Sequence, residues 1–455
     1  MNITPPGKYD FIPRFYRLAI VNILSNLMIP LSGLISVAFL GHLQEIDALA
    51  GVSIANILFC LFYLTLEFLR MGTTGLTAQA VGADDEEAIL LVGLRNGTIA
   101  LVLGILIVVL QYPLREIGFS LLSGEFDVKA AGIEYFNTRI WGAPAVLLNF
   151  VLIGWLLGRE KSGQVLILSA IGNLANMVLD YLFIILWGWD SMGAGISQAS
   201  SQYLMLFTGL FLSRDKFTWE KISKVSSQLM NLENFKSTVS LNRDILLRTI
   251  TELSVYTVFS NLSAGLGTVI FTQNSLLAQI INTSVYLTNG FGFATETLSG
   301  NSKGQNAQSQ FIPILRISVF SSLTSGIIIS AICVFFPEVV FGILTNHTEI
   351  TEDIHTYAWW LFLVIGFTSV AAILEGHFLG LTEGKIVRNV SFISTGLAFI
   401  PSVIVILYFH DNHFLWLGLV MFQLVKMSAL LIYLPKTLSS DVDDEVETVS
   451  IPVVE

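Results

Sequence analysis

The chain has 455 residues, of which 53% are hydrophobic and only 13% charged, and its mean hydropathy is +0.72. A soluble domain carries about 25% charged residues, so this composition excludes an ordinary soluble protein and points to a polytopic membrane protein. The formal net charge of −11 argues against a nucleic-acid partner.

A bilayer core takes roughly 20 apolar residues of helix to cross, and twelve such stretches follow in chain order. In the first half they run approximately Phe15 to Leu40, Leu49 to Ala80, Ala88 to Gln111, Phe136 to Leu157, Gly163 to Trp187 and Met192 to Leu212. In the second half they run Ile245 to Leu266, Val269 to Gly300, Phe311 to Phe336, Ile354 to Leu379, Val387 to Phe409 and Phe414 to Leu434. The runs are long and do not alternate in polarity, which makes them helices rather than barrel strands. The first is too long and too polar for a cleaved signal peptide and is expected to remain as an anchor.

Basic residues set the expected orientation. Lys8, Arg14 and Arg17 precede the first helix, Arg159 and Lys161 follow the fourth, and Lys216, Lys221, Lys224 and Lys236 crowd the middle loop. The opposite loops are poor in them, and one carries Glu349, Glu352 and Asp353. Both termini are therefore expected in the cytoplasm.

The chain also repeats. Leu76 to Leu298 and Gly82 to Gly304 are both offsets of 222, and Gly154-Trp155-Leu156-Leu157-Gly158 matches Gly376-His377-Phe378-Leu379-Gly380 at the same offset. The expected organisation is a six-helix lobe over residues 1–212, a linker loop over 213–243 and a second six-helix lobe over 244–436. An acidic, disordered tail is expected over 437–455. Six helices is an even count, so the lobes are parallel repeats about an axis along the membrane normal, with a binding site between them. The paired glycines read as close helix packing within each lobe.

Ionisable groups at bilayer depth are costly, so they are the best functional pointers a single sequence offers. They are Glu67, Arg70, Asp180, Glu252, Glu296, Glu375, His377 and Lys426. Asp180 shares a helix face with Asn176, one turn away, and lies near Asn173. Two amides beside a carboxylate can hold a proton or a small cation. The competing reading is a structural hydrogen-bond knot, which uncharged amides would serve as well. Glu375, Glu296 and Glu252 can converge in the second lobe. Glu67 and Arg70, three apart, read as a structural ion pair. Pro30 removes a backbone hydrogen bond midway along helix one and marks a hinge, with Asn22 and Asn26 one turn apart beside it. Lys426 is expected to snorkel or pair. His410 and His413 stand in an outer turn without further ligands, so no metal site is expected. Cys60 and Cys333 fall in membrane helices and make neither a disulfide framework nor a thiolate metal site.

The stretch Phe68-Leu69-Arg70-Met71-Gly72-Thr73-Thr74-Gly75-Leu76-Thr77-Ala78-Gln79-Ala80 resembles the helix-two signature of the DinF-like branch of multidrug and toxic compound extrusion (MATE) transporters. Supporting segments are Pro30-Leu31-Ser32-Gly33, Arg139-Ile140-Trp141-Gly142-Ala143-Pro144 and Asn242-Arg243-Asp244-Ile245. The resemblance spans about Phe15 to Leu434. It implies an all-α membrane protein of twelve transmembrane helices in a V-shaped pair of six-helix lobes. It further implies export of organic, cationic or amphipathic compounds in exchange for H+ or Na+, with no cofactor.

Asn176 and Asp180 match the family's Asn-x-x-x-Asp pair in helix five, and Gln198 stands near its helix-six threonine. Two family acids are missing: Ser36 takes the place of the helix-one aspartate, and Asn289 precedes Gly290-Phe291 where the family has an acid. Glu296 fits the acidic position later in helix eight, and Glu375 replaces an aspartate in Leu374-Glu375-Gly376.

The expectation is a monomeric, proton-coupled antiporter in a prokaryotic inner membrane, working on a small organic substrate within the lipid bilayer. Asp180, Asn176, Ser36, Asn173 and Gln198 form the coupling cluster, and Glu296, Glu375, Glu252 and Asn289 a second acidic site. The alternatives are a dedicated exporter of one endogenous metabolite, a lipid-linked precursor flippase, a membrane enzyme and a transport-dead regulatory relative. The flippase would want a cationic cavity and the enzyme a clustered catalytic set at one membrane face, which the sequence lacks.

Overall fold

The computed structural model describes residues 9–41, 46–229, 231–344 and 354–438. Within them the chain forms helices and no strands. The first lobe comprises α1 (Ile12–Gly41), α2 (Asp47–Gly82), α3 (Glu86–Val109), α4 (Phe126–Gly158), α5 (Ser162–Leu186) and α6 (Asp190–Leu212). The second comprises α7 (Leu232–Gly265), α8 (Thr268–Gly304), α9 (Gln308–Phe335), α10 (Ile354–Gly380), α11 (Gly384–Phe409) and α12 (Asn412–Leu438). Among the described residues, nine of these are long and apolar enough to cross a membrane. The other three, α6, α7 and α8, are the most polar, and two of them carry buried charges.

Local chemistry explains where the helices start and bend. Asp85 caps α3 by accepting from the Ala88 N–H at 2.9 Å. Pro144 cannot donate a backbone hydrogen bond, and α4 tightens into a 3-10 turn at Ile140–Gly142 just before it. The last turn of α5, Tyr181–Leu186, is wide and follows Asp180 directly. Such π-turns commonly mark functional positions. α1 runs as helix through position 30; the Pro30 side chain, expected to be the hinge, lies outside the described residues. So do the acidic loop and the tail beyond residue 438.

The glycine pairs set the packing within each lobe. A side chain at Gly154 would collide with the Arg70 carbonyl of α2, and one at Gly376 with the Gly292 carbonyl of α8. Backbones at such contact distance leave no room for a β-carbon.

The lobes meet at one end only. An apolar cluster containing Phe15, Leu69, Leu147, Phe291, Leu298 and Phe378 is built from both lobes and lies toward the termini. The rings of Phe15 and Phe291 stack across it at 6.1 Å. At the opposite end the clusters are separate, one around Phe59 and Phe136 in lobe one and one around Phe259 and Trp416 in lobe two. A cleft between the lobes therefore opens away from the termini.

Polar contacts lock the terminus end. Asn301 of α8 donates to Glu160, in the α4–α5 connection, at 2.6 Å, and Arg14 of α1 pairs with the same carboxylate. Gln79 of α2 donates to the Gly380 carbonyl of α10 at 2.7 Å.

The linker is more ordered than a loop. It forms a helix, Trp219–Leu229, and α7 already begins at Leu232. Its polar first turns hid this start from a hydropathy reading.

Candidate functional site

In lobe one, α1 and α5 are joined by two successive contacts of the same design. Ser32 donates to the Asn176 Oδ1 at 2.7 Å, and one turn further Ser36 donates to the Asp180 Oδ2. Asn176 in turn donates to the Ser197 Oγ of α6 at 2.9 Å, and Gln198 approaches its Oδ1 at 3.4 Å. Asn176 and Asp180 are almost wholly buried. No hydrogen bond of ordinary geometry reaches the Asp180 Oδ1, and among the described residues no cation pairs with this carboxylate. Asn173 stands apart and donates to the Ser169 carbonyl at 2.7 Å. Ser32 and Ser197 were not singled out in the sequence. Ser32 was legible as the residue one turn before Ser36; Ser197 carried no signal.

In lobe two, Glu252 and Glu375 do meet, but two cations meet with them. Arg248 grips Glu375 through two hydrogen bonds of 3.1 and 2.6 Å and reaches Glu252 at 3.0 Å. Lys426 of α12 lies 3.0 Å from Glu375 and also pairs with Glu252. Four side chains from α7, α10 and α12 thus form a charge-balanced, buried square. Arg248 is the residue the sequence reading passed over; its spacing of four from Glu252 was the available signal.

Glu296 and Asn289 are not part of that square. Glu296 is buried on α8 with its Oε1 lacking a hydrogen bond, within electrostatic reach of Arg70. Asn289 is half-buried seven residues earlier. Arg70 and Glu67 approach only to 3.5 Å. Arg70 is held more broadly: it donates to Asn22 at 3.2 Å and Asn26 at 3.4 Å, and stacks 4.0 Å over Phe293 of lobe two. His377 is spent on Ser299 at 2.9 Å and Thr437 at 3.3 Å. Among the described residues no group of three metal-ligating side chains converges.

Two parallel six-helix lobes, a buried acid in the first and an ionic square in the second define the architecture. The MatE family model covers residues 22–182 and 245–404, one stretch in each lobe. The chain belongs to the MatE family. Its members are the multidrug and toxic compound extrusion transporters, and this one falls in the DinF-like branch. It is 30% identical over 415 residues to the DNA damage-inducible protein F of Escherichia coli, covering 90% of this chain and 89% of that one. It is 22% identical to a probable multidrug resistance protein NorM of Thermotoga maritima, with coverage of 89% and 88%. Among solved structures, a MATE in the bent conformation superposes with a TM-score of 0.83 at 18% identity, covering 96% of each chain. That likeness establishes the MATE fold of two V-arranged lobes.

Proposed function

We propose that this MATE protein is a secondary antiporter that exports amphipathic organic molecules in exchange for protons. In this reading it sits in a prokaryotic plasma membrane with both termini in the cytoplasm. Asp180 carries the reading. It is the sole carboxylate of the lobe-one cluster, it is buried without a cation, and one of its oxygens is free to take a proton. Its neighbours favour a proton over a sodium ion: Ser36 and Ser32 spend their hydroxyls as donors on Asp180 and Asn176, so the oxygens close on one another.

Proton uptake at Asp180 would change what Ser36 can donate to and so shift α1 against α5. The lobes, closed by a shared core at one end, would rock about it. The pairing of Glu252 and Glu375 with Arg248 and Lys426 leaves those acids no free charge for a cation, which favours an amphipathic substrate over a simple organic cation.

The test is dye efflux, with the zwitterion rhodamine B, from proteoliposomes under separate H+ and Na+ gradients. A pH gradient alone is expected to drive exchange in the natural chain, and Asp180→Asn to abolish it. Exchange driven only by Na+ would overturn proton coupling, and undiminished pH-driven exchange in the variant would remove Asp180 from the mechanism.

A further inference from the structure

Lobe one holds a second charge that the coupling cluster does not use. Arg139 lies deep in α4, at the last residue before the 3-10 turn. It donates through Nη1 to the Asn56 Oδ1 of α2 at 2.6 Å and to the Tyr135 hydroxyl at 2.6 Å. Its guanidinium stands 4.4 Å over Phe59, 5.4 Å over Tyr135 and 5.7 Å over Tyr63. All of these partners are uncharged. Among the described residues no carboxylate pairs with it. Elsewhere in the membrane helices Arg70, Arg248 and Lys426 each have an acid.

The rings and the amide orient this guanidinium without neutralising it. Its Nε and Nη2 carry no hydrogen bond and are not sealed from solvent. Asn56 and Cys60, beside it on α2, are both exposed. Asn56, Cys60 and Tyr63 form one stripe of α2 at spacings of four and three. Cys60 is exposed, lies within electrostatic reach of Arg139, and also of Tyr286 on α8 of the other lobe. Asp180 and Arg139 both lie within electrostatic reach of Tyr135 without forming an ion pair, and Glu67 approaches Arg70.

We infer that Arg139 is the anchor for the acidic head of the transported molecule, a carboxylate or sulfonate on an aromatic body. A guanidinium fork left with two free, adjacent N–H edges matches two oxygens of such a group bidentately. Arg139 is half-buried, and an unpaired charge there gains more from a counter-ion than one in open water. Tyr63 on one side and Tyr286 on the other offer the aromatic body a face on each lobe, so the ligand would bridge the cleft. This deepens the antiporter reading by naming the substrate class.

Binding, measured with no ion gradient, tests it independently of coupling. The probes are naphthalene-1-sulfonate and 1-naphthyltrimethylammonium, which share a body and differ in charge. Calorimetric titration of the full chain is expected to give the sulfonate about 10-fold the affinity of the ammonium, the size of one charge-assisted bidentate contact. Arg139→Gln and Asn56→Asp should both erase that preference. The second keeps the arginine and its packing and supplies the missing counter-ion, so it remains decisive if the first fails to fold. Bound sulfonate should also slow maleimide labelling of Cys60. Equal affinity for the two probes in the natural chain would overturn the proposal. So would sulfonate binding unchanged in Asn56→Asp, or Cys60 labelling indifferent to the sulfonate. If sulfonate binding survives in Asp180→Asn while pH-driven exchange does not, the two sites are separate. If the preference is absent but exchange persists, only the substrate class is wrong.

Discussion

Ser36 of α1 donates to Asp180 of α5 one helical turn beyond the equivalent contact of Ser32 with Asn176. The acceptor is a carboxylate in one and an amide in the other, and Ser36, the less buried of the two serines, also lies 3.2 Å from the Ser32 carbonyl. Hydrogen bonds between membrane helices contribute about 0.6 kcal/mol on average, and those to charged groups in folded proteins about 1.5–3 kcal/mol. Ser32→Ala is therefore expected to cost about 0.6 kcal/mol and Ser36→Ala at least twice that near neutral pH. Equilibrium unfolding in lipid, by steric trapping, measures both. Equal losses would mean that Asp180 does not act as a charged acceptor.

The ionic square of lobe two predicts strong non-additivity. Removing one member of a buried pair leaves its partner's charge uncompensated, at a cost of about 3–5 kcal/mol. Arg248→Gln should destabilise by about that amount, because Glu375 then loses both of its short contacts and keeps only Lys426. Adding Glu375→Gln removes the orphaned charge and should recover more than half of the loss. A thermal-unfolding double-mutant cycle reads this. Additive losses would show that the four charges do not act as a unit.

Much of this was legible in the sequence. Twelve helices, the offset of 222 and the shared helix face of Asn176 and Asp180 followed from hydropathy, repetition and helical spacing. What escaped was three-dimensional partnership. Glu252 and Glu375 read as an acidic site because Arg248 stood near the expected start of its helix, and its approach to Glu375 spans 127 positions. Of the two fates expected for Lys426, snorkelling or pairing, the structure shows pairing, with its side chain only 5% exposed. Hydropathy placed the start of α7 thirteen residues late, at Ile245 rather than Leu232, because its first turns are polar.

The closed end of the molecule rests on a crossing without side chains. A β-carbon at Gly300 would lie 2.8 Å from the Ala78 Cβ, 3.0 Å from the Gly380 carbonyl and 3.3 Å from that of Gly75, and two of these contacts belong to the opposite lobe. Close backbone approach tolerates no added volume. Gly300→Val is expected to force the lobes apart at the terminus end. Spin labels placed on that face, one per lobe, should move to longer distances in double electron–electron resonance, with pH-driven exchange lost. An unchanged distance distribution would mean the crossing is not what holds this end shut.

The linker makes the last case, because ion pairs supplement an apolar contact, Val225 against Leu90 and Leu91, in holding it to lobe one. Lys216 pairs with Glu86 at 2.8 Å and Lys224 with Glu87 at 2.6 Å, tying the helix Trp219–Leu229 to the start of α3. Arg95 adds hydrogen bonds to the Gln228 and Leu229 carbonyls at its end. Exposed pairs of this kind are weak and are screened as salt rises. Glu87 raises the Lys224 ammonium above its ordinary range, so that pair is fully formed below that range and is lost only as pH rises through the shifted value. Across neutral pH, then, ionic strength should weaken docking and pH should not. Trypsin cleavage after Lys221 and Lys224 is expected to accelerate several-fold between low salt and 1 M, where the Debye length falls to about 3 Å. Glu86→Gln with Glu87→Gln should give the fast rate already at low salt. Cleavage that ignores salt but follows pH between 6 and 8 would show that these two pairs contribute nothing to holding the linker to lobe one.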